Sequence, residues 1–203
     1  MLQASTPRLV LASASESRRG LLAAAGLCFT ARAAAIDEAE VKRAAKSEGA
    51  TAEDVAILLA AMKAERVARH EPGALVIGAD QILVCEEHWF DKPATIEAAR
   101  TQLRALRGKP HVLATAIVCQ RDARRVWQHI ARPRLTMRAM SDAFLDDYLA
   151  AEGDAVTSSV GAYRLEGLGI HLFDRIEGEH AAILGLPMLA LLGFLRQHGI
   201  LGA

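Results

Sequence analysis

The chain has 203 residues, 52% of them hydrophobic, enough to bury a substantial core in one domain or in two closely packed lobes. Lys plus Arg and Asp plus Glu each number 24, so no net field draws the whole molecule to nucleic acid or to an anionic membrane, and any polyanion is held locally. Cys28, Cys85 and Cys119 stand far apart without a CxxC pair, which argues for reduced thiols rather than a disulfide framework or a zinc site. With no signal-peptide pattern at the start and no run near the roughly 20 apolar residues of a membrane span, a soluble cytoplasmic protein is expected.

Residues 8–12 predict a short apolar strand that runs into a helix over 16–25, closed by Gly26. Ser13, Ser15 and Ser17 bring hydroxyls to that junction, and Arg18 and Arg19 add fixed positive charge within one turn, a combination suited to phosphate. The same residues also describe an ordinary capped surface helix with solvated arginines. A second strand over 29–34 leads to an acidic turn at Asp37 and Glu38. Thr51 with Asp54 three residues on marks a capping-box start, and Val55, Leu58, Leu59, Met62 and Val67 form the buried stripe of a long helix stopped near Pro72 and Gly73. Strands follow over 74–79 and 82–85, then a helix from a Thr95 cap to Gly108. Two long strands, 111–120 and 125–137, read as a hairpin around 121–124. A helix over 142–151, a glycine-bearing loop to Gly161, a strand over 169–176 and a helix over 187–198 complete a mixed α/β pattern without repeats or linkers.

Chemistry gathers at a second place. VIGAD puts Asp80 beyond an apolar run, at the expected end of a strand, with Gly78 allowing close backbone approach. DKP at 91–93 adds Lys92, and Glu38 and Lys63 are candidates to reach the same cavity from the other lobe. Two acids and two lysines suit a metal-bound phosphate chain, although each residue alone is more often a surface charge.

Taken in series, LASASESRR, the Asp37–Glu38 pair, MKA at 62–64, GAD at 78–80, DKP, GAYRLEGLG at 161–169, IEG at 176–178 and LGLP at 184–187 closely resemble the Maf family of nucleoside triphosphate pyrophosphatases, the septum-formation-inhibitor Maf-like proteins. The resemblance spans nearly the whole chain. It implies a single domain over 1–203, a mixed α/β fold whose twisted β-sheet forms two lobes around a central cleft, similar also to the inosine-triphosphatase type, and often a homodimer. It implies a cytoplasmic enzyme, dependent on a divalent metal such as Mg²⁺ or Mn²⁺, that cuts a nucleoside triphosphate between the α- and β-phosphates. Residue by residue it makes Asp80 the catalytic acceptor and Ser13, Arg18, Lys63 and Lys92 substrate-binding groups, with Glu38 and Asp80 holding the metal. An aspartate near its usual pKa of about 3.9 is a poor base, so metal holding and water orientation suit it better.

Three further positions concern the base. Gln81 and Glu166 stand where the pyrimidine-preferring branch carries Thr and Gln, a combination resembling the 7-methyl-GTP pyrophosphatase branch, and Ser17 is the third variable position. A glutamate accepts both the N1–H and the exocyclic amino group of a guanine, which a uracil or thymine edge does not offer. Ser17 supplies no stacking surface for a cationic base, and Trp89 is the candidate substitute. Ser158 and Ser159 replace an Asp-Lys pair that many relatives carry, so a nucleotide-binding regulator of septum formation with little turnover is the alternative reading. No GxxxxGK[ST], GxGxxG or HExxH is present. Arg100, Arg104 and Arg107, like Arg132, Arg134 and Arg138, read as solvated faces, and with 4% aromatic residues nucleic-acid binding is not expected.

Overall fold

The computed structural model describes residues 3–122 and 124–202; within the predicted 121–124 hairpin turn, Ala123 lies outside the described residues. In chain order the elements are β1 (Leu9–Leu11), α1 (Glu16–Ala24), β2 (Phe29–Ala31), α2 (Glu38–Ser47), α3 (Ala52–Ala68), β3 (Leu75–Cys85), β4 (His88–Phe90), α4 (Ile96–Leu106), β5 (Pro110–Arg121), β6 (Arg124–Ala131), β7 (Arg134–Met137), α5 (Asp142–Glu152), β8 (Phe173–Glu177), α6 (His180–Ile183) and α7 (Met188–Gln197). The strands form one mixed sheet of order β2-β1-β3-β5-β7-β8, with β4 beside β3 and β6 beside β5. β1 is parallel to β2 and β3, whereas β5, β6, β7 and β8 pair antiparallel. The expected mixed α/β class is therefore the observed one. No helix among the described residues is long and apolar enough to cross a membrane.

Contacts divide the chain into two compact units. The first comprises residues up to Asp80, Thr115–Ala131 and those from Glu179 onward; the second comprises Gln81–Ala114 and Arg132–Gly178. In the first unit, alternation along the strands sorts side chains to two faces. Leu9, Leu11, Leu75, Ile77, Ala79, Ile117 and Cys119 join Leu22 of α1 and Leu191, Phe194 and Leu195 of α7 in one apolar cluster. The opposite face of β3 meets α3, which begins at the predicted capping box: Thr51 accepts from the Asp54 N–H and the Asp54 carboxylate accepts from the Thr51 N–H. In the second unit, α4 and α5 are laced by ion pairs, Arg104 and Arg107 to Asp142 and Arg100 to Asp146, so that arginine face is partnered and not merely solvated.

Several expected boundaries move, each for an identifiable reason. The acidic turn at Asp37 and Glu38 is instead a helix start, with the Asp37 carboxylate capping the Glu40 N–H; α2 buries no residue, so it carries no apolar stripe to betray it. The two strands expected around Gly78 to Ile82 are one strand of 11 residues, since a polar Asp80 inside a strand is accommodated by a partner on the facing helix. The expected strand over 125–137 is broken between Ala131 and Arg134, where Pro133 has no N–H to donate. Leu168–Leu172 is a 3₁₀ turn, and the following strand begins only at Phe173. On α3, Leu58 is 44% exposed and Met62 half-buried, while Lys63 takes a buried place.

Candidate active site

Alternation along β3 sets the site. Val76, Gly78 and Asp80 share the face opposite the apolar cluster. A Cβ on Gly78 would lie 2.1 Å from the Ala60 carbonyl oxygen and 2.9 Å from the Ala64 Cβ, so only glycine lets α3 lie this close. Residues three and four apart on a helix stand on one face, and Lys63 therefore projects beside Ala60 and Ala64 toward Asp80, two residues beyond Gly78. Its ammonium Nζ lies 2.6 Å from Asp80 Oδ1 and 2.7 Å from Glu38 Oε1. Lys63 and Asp80 are only 7% and 3% exposed.

These three residues come from the first unit alone. Glu38 and Lys63 were expected to reach Asp80 from another lobe. Instead the α2–α3 segment joins β2 to β3 of the same parallel group and packs back on the strand it feeds.

The β1–α1 junction supplies one facing cation. Ser15 caps α1, its hydroxyl accepting from the Arg18 N–H, and Ser13 Oγ accepts from the Ser15 N–H at 3.1 Å. Arg18 turns inward: Nε donates to the Gly185 carbonyl at 2.8 Å, and one terminal nitrogen donates to the Ala79 carbonyl at 2.9 Å and to Ser13 Oγ at 3.4 Å. The guanidinium therefore ties α1 to the residue preceding Asp80. Arg19 stays at the surface and pairs with Glu16. Ser17 lies half-buried in the first turn of α1.

The charges interact. Burial, the largest influence, pushes the Asp80 carboxyl above the ordinary aspartate value and outweighs the pull of Lys63 and Arg18. At Glu38 burial pushes the same way, but Lys63, helped by Lys42 and Arg18, wins and holds that carboxyl below its usual value. Asp80 is thus a better proton acceptor than a solvated aspartate, more than its sequence context indicated. Its second oxygen, Oδ2, is buried without a hydrogen-bond partner.

The remaining candidates lie in the second unit. Lys92 is exposed two residues after β4, Gln81 follows Asp80 in β3, and Trp89 sits on β4 opposite Val84. Glu166 follows Arg164, whose Nε lies 3.8 Å from Glu166 Oε1. Ser158 and Ser159 donate locally, to the Ala155 and Tyr163 carbonyls. The Gly185 and Ala79 carbonyls that hold Arg18 have no side-chain signature in the sequence; the LGLP and GAD strings that contain them are the available signals.

Among the described residues no three His, Cys, Asp or Glu side chains group to hold a metal. Two carboxylates, one with an unpartnered buried oxygen, are nonetheless the donor set that a hard divalent cation uses when phosphate and water oxygens complete its shell.

The mixed α/β sheet thus presents a capped strand-to-helix junction beside a carboxylate–lysine–carboxylate centre, an arrangement suited to phosphate. The chain belongs to the Maf family: the family model described as Maf-like protein matches residues 8–198. It is similar to proteins named nucleoside triphosphate pyrophosphatase from Granulibacter bethesdensis, 52% identical over 94% of this chain and 97% of that one, and from Rhodospirillum rubrum, 50% identical over 98% and 99%. A protein of Rhizobium meliloti named 7-methyl-GTP pyrophosphatase is 49% identical over 97% and 99% of the two chains.

Proposed function

We propose that this chain is a cytoplasmic nucleoside triphosphate pyrophosphatase, a single domain that hydrolyses the α–β phosphoanhydride of guanine-type nucleotides such as 7-methyl-GTP to a nucleoside monophosphate and pyrophosphate. The observation that carries the reading is the Lys63 ammonium held between Asp80 and Glu38, with Arg18 locked against the residue before Asp80. The names of relatives about half identical over almost the whole chain support it.

In this reading Ser13, the first turn of α1 and the cations Arg18, Lys63 and Lys92 bind the triphosphate and offset charge that builds on its oxygens in the transition state. Arg18 and Lys63 are anchored by protein groups, so little reorganisation is needed at the moment of reaction. Asp80 and Glu38 would hold a divalent cation, Mg²⁺ or Mn²⁺, which when bound neutralises phosphate charge and makes water more acidic. Asp80 orients the attacking water and accepts its proton. Gln81, Ser17 and Glu166 read the base, Glu166 by accepting the N1–H and exocyclic N–H groups of a guanine.

A nucleotide panel with Mg²⁺ or Mn²⁺ tests this. Equimolar monophosphate and pyrophosphate, formed fastest from a guanine-type nucleotide, is the expected result. Orthophosphate alone contradicts the cleavage position, faster turnover of UTP or dTTP defeats the base assignment, and tight binding without turnover favours a nucleotide-binding regulator. Asp80→Asn should abolish turnover while thermal unfolding stays cooperative; retained activity removes Asp80 from the mechanism.

A further inference from the structure

The loop that carries Glu166 is wrapped around another carboxylate. Glu152, the last residue of α5, has a side chain only 6% exposed, and an ionised group so deep persists only where its oxygens are satisfied. Oε1 accepts from the Leu168 N–H at 2.9 Å, and Oε2 accepts from an Arg164 terminal nitrogen at 3.3 Å. The same guanidinium reaches Glu166 through Nε, at 3.8 Å, an ion pair and not a hydrogen bond. Arg164 therefore spans two carboxylates, the inner one fixed by the backbone.

The glycines of this loop agree with that construction. A Cβ on Gly167 would stand 2.8 Å from Glu152 Oε1, and one on Gly169 would stand 2.4 Å from the Arg164 carbonyl oxygen. The backbone is folded so tightly over Glu152 and Arg164 that side chains at 167 and 169 would displace them.

We infer that Glu152 is a positioning residue for Glu166: through Arg164 it fixes the glutamate that reads the base, and so sets the discrimination between guanine and pyrimidine nucleotides. The inference rests on the reading of Glu166 given above. A glutamate has three rotatable bonds, and bidentate recognition of N1–H and the exocyclic amine requires one orientation of its carboxylate plane. Arg164, itself held by the buried Glu152, supplies a planar, always charged partner that favours such an orientation.

The test is the ratio of kcat/KM for GTP to that for UTP in wild type, Glu152→Gln, Glu166→Gln and the double variant. Glutamine at 152 keeps an acceptor for the Leu168 N–H but loses the charge that holds Arg164. Glu152→Gln is expected to lower the ratio about tenfold, by analogy with the roughly 10–100-fold cost of removing a group that orients a metal ligand. The double variant is expected to match Glu166→Gln alone, because residues acting as one unit are not additive. A ratio unmoved by Glu152→Gln, or a double variant in which the two losses multiply, overturns the inference, since a merely structural anchor weakens turnover of both nucleotides alike. A ratio unmoved by Glu166→Gln overturns the reading of Glu166 itself, and the inference with it. Should Glu152→Gln fail to fold, Arg164→Gln replaces it; its side chain is 35% exposed, and it must produce the same fall.

Discussion

Replacing Gly78 by alanine tests whether helix-to-strand distance controls the chemistry. The added methyl would stand 2.1 Å from the Ala60 carbonyl oxygen, and ordinary contact begins at 3.4 Å. Neither Ala60 nor Ala64 has a flexible side-chain end that can swing aside, so α3 as a whole must retreat by about 1 Å. Overpacking of this kind costs roughly 1–3 kcal/mol, and each kcal/mol lowers Tm by about 2–4 °C in a chain this size. The retreat carries Lys63 with it and lengthens its 2.6 Å contact to Asp80 and its 2.7 Å contact to Glu38. A misplacement of about 1 Å at a reacting centre costs about 100-fold in rate. Urea unfolding measures the first effect and pyrophosphate release with Mg²⁺ and GTP the second. Wild-type stability in Gly78→Ala would refute the packing argument. Lowered stability with wild-type kcat would refute the claim that the position of Lys63 matters.

Two further outcomes are expected. Lys63→Met leaves the Asp80 and Glu38 carboxylates without the cation between them, which should end turnover and cost roughly 3 kcal/mol of stability in chelator at pH 7, as breaking a buried pair does; an unchanged urea midpoint would sink this. His111, 2% exposed and bonded through Nε2 to the Tyr163 hydroxyl at 3.0 Å, has its pKa lowered by burial to about 4. Unfolded, it titrates near 6.5, so as pH falls from 6.5 toward 4 the unfolded state takes up a proton that the native state refuses. Its contribution to stability is lost through that window, by about 2 kcal/mol at pH 5, and His111→Gln should flatten the acid limb of the urea midpoint against pH; an identical limb would exclude His111 as the cause.

The parts of the fold that announced themselves were those governed by neighbours in sequence. Ser15 and Thr51 cap the helices expected of them, because a cap needs only a hydroxyl and an N–H two or three residues on. The helix α2 was not legible because no buried stripe marks it, and Pro133 divides an expected strand because it has no N–H to donate to the ladder. Of the candidate centre, the identities of Asp80, Glu38, Lys63, Arg18 and Ser13 were legible as a series of motifs. That Arg18 is bound to two backbone carbonyls was not, since a carbonyl acceptor can belong to any residue.

By itself the sequence determined the mixed α/β class, the family and the polar residues available for phosphate chemistry, because alternation, capping and motif order are local properties of the chain. Tertiary structure alone decided that Asp80 lies inside a strand, that Lys63 stands between two carboxylates of one unit, and that the Asp80 carboxyl is pushed upward. Those facts depend on how closely α3 approaches β3 and how much water is left beside the charges, and neither quantity exists until distant segments pack.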